Sequence, residues 1–120
     1  MKEVKRKWDY IAVDFDGTIC EHQFPEIGEP KMEIIEFLRR QHKLGTKIIL
    51  HTCREDTEEG KWTGYLQSAL DWCREMDIPI DAVNENPWVE YGGRKMYADI
   101  YIDDRAVNVK DLIKLENMDI

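Results

Sequence analysis

The sequence predicts an open α/β domain built on a mainly parallel sheet, on three observations. Short apolar runs, several rich in β-branched residues, alternate with segments whose apolar residues recur at helical spacing. The 120 residues keep one compositional style throughout, which predicts a single domain over residues 1–120 with a modest core. Polar clusters follow three of the expected strands: Asp14-Phe15-Asp16, Thr52 and Asp103-Asp104. Parallel strands bring such clusters to one sheet edge, where ligands bind in folds of this class.

Trp8 to Val13 reads as the first strand, ended by the acidic turn. Residues 20–29 read as a loop, because Pro25 and Gly28 interrupt any regular element. Pro30 suits the first turn of a helix whose apolar stripe is Ile34, Ile35 and Leu38, with Gly45 as the stop after Leu44. Lys47 to Thr52 is a short, β-branched run expected as a buried strand. After a polar loop from Arg54 to Gly60, Trp62, Leu66, Ala69, Leu70, Cys73 and Met76 fall at helical spacing, as a core-facing stripe would. Ile80 to Val83 is a third strand, followed by a loop over residues 84–93 containing Pro87. Tyr97 to Ile102 is a fourth strand, and Val109, Leu112, Ile113 and Leu115 mark a short final helix.

Composition excludes several classes of protein. A net charge of −8 disfavours nucleic-acid backbones as partners, and the basic opening (Lys2, Lys5, Arg6, Lys7) is short and interrupted by Glu3. The absence of a long apolar run predicts no membrane partner and no signal peptide. Cys20, Cys53 and Cys73 are odd in number and widely spaced, as expected of reduced thiols in a cytoplasm.

The segment Asp14-Phe15-Asp16-Gly17-Thr18 carries the most chemistry. Carboxylates at i and i+2 on an extended backbone project to one side, and like charges that close resist joint ionisation without a cation between them. Such a tip suits a divalent metal and one nucleophilic or acid/base carboxylate; it also suits a plain turn that ends a strand. An EF-hand loop begins similarly, but Gly17 comes too early for one. A cysteine-dependent phosphatase loop at Cys53 lacks the Arg several residues onward. His22, His42 and His51 show no metal-ligand spacing.

In order, Asp14-x-Asp16-Gly17-Thr18, then Ile48 to Thr52, then Lys95, then Ile102-Asp103-Asp104 follow the motif set of the haloacid dehalogenase (HAD) superfamily. The stretch Arg94 to Arg105 also resembles the small, capless HAD hydrolases of bacteria and their phages. The resemblance implies a Rossmann-like, three-layer domain without a cap, and a Mg²⁺-dependent phosphomonoesterase working through an aspartyl-phosphate. It implies Asp14 as nucleophile and Asp16 as general acid/base. Thr52 becomes the hydroxyl on the phosphoryl oxygens, and Lys95 the cation offsetting charge. Asp14, Asp103 and the backbone carbonyl of Asp16 would hold Mg²⁺, with Gly17 and Thr18 in support and Asp104 acting directly, through water or from behind the ligands.

Substrate contacts are expected from His22, Arg54 and Asn84. Arg54 is set against a surface ion pair, and Asn84 against turn chemistry. Arg94 and Arg105 are further cations, and Trp88 and Tyr91 an apolar wall or a loop anchor. Short loops at both cap positions predict an open site that admits large phosphorylated substrates, unless a second copy of the chain covers it. Action on a nucleotide or polynucleotide end, phosphoryl transfer to another acceptor, and a silent metal- or phosphate-binding partner protein are the alternatives.

Overall fold

The computed structural model describes residues 5–90 and 93–118. In chain order the elements are β1 (Tyr10–Val13), β2 (Cys20–Gln23), β3 (Glu26–Pro30), α1 (Met32–Lys43), β4 (Lys47–Leu50), β5 (Thr57–Glu58), β6 (Lys61–Trp62), α2 (Tyr65–Glu75), β7 (Ala82–Val83), β8 (Ile100–Ile102) and α3 (Leu112–Glu116). The α/β class and the parallel sheet expected from the sequence are present: four strands pair in parallel in the order β7-β4-β1-β8. Their register aligns Val83, Leu50, Val13 and Ile102 in one row, so the chain leaves all four strands at the same edge.

Alternation along β1 and β4 explains the core. Ile11, Val13, Ile48 and Leu50 share one face and pack with Phe15, Ile19, Ile35, Leu38, Ala69 and Cys73, so α1 and α2 cover the same side. The intervening Ala12 and Ile49 are also buried but face the other way. On that side aromatic packing does the covering: Tyr10 stacks on Trp88 at 6.2 Å and meets Tyr97 edge-on at 6.1 Å. The helical third layer implied by the resemblance is not formed among the described residues, since α3 buries none of its residues. No helix among them is long and apolar enough to cross a membrane.

Helix α1 ends as its sequence dictates: Gly45 adopts φ +100° and donates its N–H to the His42 carbonyl (3.0 Å). Its start differs from expectation, because Pro30 ends β3 instead of opening the helix. Two hairpins replace segments read as loops. In the first, β2 and β3 pair around Phe24-Pro25, with a bulge where Gly28 and Glu29 of β3 face Glu21. A Cβ on Gly28 would lie 2.3 Å from the Glu21 carbonyl oxygen, so this glycine permits close strand approach rather than breaking the strand. In the second, Glu59 and Gly60 both take positive φ (50° and 76°), the primed geometry that suits a two-residue hairpin turn.

That second hairpin removes Trp62 from the helical stripe. It sits in β6 with 70% exposure, while α2 begins at Tyr65 after a left-handed Gly64. At the N-terminus, Lys2 and Glu3 lie outside the described residues. Arg6 is not simply solvated: it pairs with Asp9 at 2.9 Å and donates to the Gly45 carbonyl.

Candidate active site

Asp14 follows β1, Thr52 follows β4 and Asp103 follows β8. The aligned strand ends therefore bring them to one cavity of about 270 Å³, also lined by Asp16, His22, Phe24, Cys53, Arg54, Asp104 and Arg105. Backbone bonds continue the sheet into this edge: the Asp14 N–H reaches the Ile102 carbonyl (2.9 Å) and the His51 N–H reaches Val13 (2.8 Å).

Asp14, Asp103 and Asp104 each offer a carboxylate oxygen within 4.8 Å of the others. Burial, together with the charges of Asp103 and Asp104, pushes the Asp14 carboxyl up to about 6, against the lowering effect of the Phe15 N–H. Three hard oxygen donors whose mutual repulsion a cation would relieve could hold a hard metal ion. Asp104, whose direct or supporting role the sequence leaves open, joins the cluster through its carboxylate, whereas the Asp16 carboxylate is held by Arg54.

Thr18 joins two strand ends. Its hydroxyl donates to Asp14 Oδ2 (3.4 Å) and accepts the Asp104 N–H (3.0 Å). Gly17 lies at φ +86°, and a Cβ there would come within 2.3 Å of Asp104 Oδ2. Lys31 Nζ donates to the Gly17 carbonyl at 3.0 Å, a contact with no motif to announce it in the sequence. Gly17→Ala is expected to destabilise the protein by about 1–3 kcal/mol, from left-handed strain and the displaced Asp104. It should also weaken metal binding; denaturant melts and calorimetry with Mg²⁺ read the two effects.

Asn84 and Arg54 both hold partners within the protein, Arg54 while lining the cavity. Asn84, at φ +54°, clamps the Thr52 peptide: its Oδ1 accepts the Thr52 N–H (2.9 Å) and its Nδ2 donates to the Thr52 carbonyl (3.0 Å). This leaves the Thr52 hydroxyl at the cavity, accepting the Arg54 N–H (3.1 Å), with its proton uncommitted among the described residues. Arg54 is 2% exposed, and its Nε and Nη2 each donate to one Asp16 oxygen at 2.8 Å. It is neither a surface pair nor a free anion hook. Removing one partner of such a buried pair costs on the order of 3–5 kcal/mol.

Lys95 is not brought to the aspartates. Its ammonium sits 4.8 Å from the Tyr101 ring centroid, beside a second cavity lined by Asn84, Asn86, Arg94 and Tyr97. Cys53 is exposed at the main cavity, and all three thiols are free. His22 does reach the cavity; His42 lies 3.3 Å from Asp81 instead. Trp88 anchors its loop on Tyr10, and Tyr91 lies outside the described residues. Phe24 went unnoticed in the sequence because only the β2–β3 pairing carries it to the cavity wall.

An α/β protein with an aspartate-lined cavity at the carboxyl edge of a parallel sheet is thus defined by fold and site together. Comparison with protein families and with curated proteins gives no match. Among solved structures, the chain is similar to a conserved protein coded by a locus from Bacteroides thetaiotaomicron, at 35% identity over 91% of this chain and 92% of that one, with a TM-score of 0.67. The chain belongs to the family of that conserved protein.

Proposed function

We propose that this chain is a Mg²⁺-dependent, HAD-type phosphomonoesterase of the cytoplasm. The observation that carries the reading is the convergence of Asp14, Asp16, Thr52, Asp103 and Asp104 on one cavity. A strand order with the nucleophile-bearing strand inside the sheet, and β4 and β8 on either side of it, supports the HAD-type assignment.

In this reading an Asp14 oxygen attacks phosphorus, the bond from phosphorus to the ester oxygen breaks as Asp16 passes its proton to that oxygen, and an aspartyl-phosphate forms. Water then attacks phosphorus, the Asp14–phosphorus bond breaks, and the water proton passes to Asp16 as base. The uncommitted Thr52 hydroxyl donates to a phosphoryl oxygen. Asp14, Asp103 and Asp104 would hold Mg²⁺, which when bound offsets the charge of the phosphoryl group and of the three carboxylates. Lys95, resting on Tyr101, is given no step. The open cavity mouth admits a phosphorylated substrate of varied size.

A phosphate-ester panel assayed with Mg²⁺ and with EDTA tests the reading. Metal-dependent phosphate release is the expected result. Tight metal binding with no ester turned over would instead leave a binding module.

A further inference from the structure

One side chain joins Asp16 to the β2–β3 hairpin. Besides its two bonds to the Asp16 carboxylate, Arg54 donates from Nη2 to the Glu26 carbonyl on β3 (3.1 Å) and from Nη1 to the Tyr65 carbonyl at the start of α2 (3.1 Å). Its guanidinium carbon lies 5.0 Å from the Phe15 ring centroid and 5.1 Å from that of Phe24. Phe24 in turn packs edge-on against Tyr65 at 5.0 Å. With its side chain 1% exposed and four donor contacts made to protein oxygens, Arg54 has little left for a ligand.

What this arrangement supplies is direction. A buried ion pair is weak evidence of stability, since well-packed apolar groups often do as well. A guanidinium fork gripping both oxygens does fix the plane of a carboxylate, and only Arg has that geometry. The same Nη2 serves Asp16 and Glu26, so the hairpin's position and the carboxylate's orientation are mechanically linked.

We infer that Arg54 is a positioning residue: it orients Asp16 and ties to it the β2–β3 hairpin, whose Phe24 forms the wall on which the leaving group rests. This deepens the phosphatase reading and rests on it. Phe24 is 43% exposed and lines the cavity, which leaves part of its ring open to an apolar leaving group.

Steady-state kinetics with p-nitrophenyl phosphate and Mg²⁺ test the inference on Arg54→Lys, Asp16→Asn, the double variant and Phe24→Ala. Arg54→Lys keeps a cation but loses the fork. It is expected to lower kcat by about 10²-fold, with KM rising no further than in Phe24→Ala. The double variant should be no slower than Asp16→Asn, because Arg54 acts through Asp16. Phe24→Ala should raise KM severalfold and leave inhibition by inorganic phosphate, which has no leaving group, unchanged. An unaltered kcat in Arg54→Lys, or losses that multiply in the double variant, would overturn the positioning role. Should Arg54→Lys fail to fold, an unaltered KM in Phe24→Ala still overturns the proposal. Wild-type protein that releases no phosphate, and shows no phosphorylated Asp14 after acetyl phosphate, removes the phosphatase reading itself.

Discussion

Asp14→Asn is expected to lower the rate of phosphate release by about 10⁴–10⁶-fold, as loss of a covalent nucleophile does elsewhere. The substitution keeps shape and leaves the backbone bond from residue 14 to Ile102 in place, so the sheet edge should survive. It also removes a carboxyl that burial holds at about 6, well above its usual range, so the metal-free variant should melt no lower than wild type near pH 8. Phosphate release and the mass of the trapped phosphoenzyme check the chemistry, and a thermal melt checks the fold. Turnover unchanged in the variant would remove Asp14 as nucleophile.

The second large effect concerns the metal. Asp103→Asn deletes one of the three clustered carboxylates and is expected to weaken Mg²⁺ binding by at least about 100-fold, at the upper end of what even outer partners of a metal site cost. Chelation by EDTA should silence the wild-type protein to a similar degree.

The pH dependence of stability follows from the raised Asp14 carboxyl. The folded chain holds that proton more tightly than the unfolded chain, so between the ordinary value of 3.8 and about 6 it binds more protons. The resulting contribution to metal-free stability is fully present below pH 3.8 and is lost as pH rises through about 6. Mg²⁺ bound as proposed should act in the opposite sense, because it needs the ionised carboxylate: at one hundred times its Kd it is expected to stabilise by about 2.7 kcal/mol above pH 6 and not at pH 4. Melting curves at both pH values, with and without Mg²⁺, read this directly. In Asp103→Asn the metal-free fall should be shallower, since one repelling charge is gone.

Much of this architecture is legible in the chain because its causes are local. β-Branched runs such as Ile48-Ile49 favour a pleated, buried strand, and Gly45 stops α1 through its own left-handed φ. The hairpins were hidden for equally physical reasons. Gly28 looks like a breaker until Glu21 lies across it, and Glu59-Gly60 is a short polar turn whose flanking strands have only two residues each. Trp62 matched a helical period by accident of spacing, and the turn before Tyr65 took it out of the helix.

By itself the sequence pointed to acidic residues gathering at one sheet edge, since Asp14 and Asp103 directly follow apolar runs and parallel strands bring such ends together. Only the tertiary structure decided how the polar side chains divide their work. Asp104 is close to Asp14 because Thr18 and Gly17 draw it in, Asn84 holds Thr52 rather than a ligand, and Arg54 turns inward onto Asp16. Strand propensity and alternation act over a few residues and are written in order along the chain. A side chain's partner 38 residues away, as Asp16 is from Arg54, depends on distances that exist only after the sheet, helices and hairpin have packed.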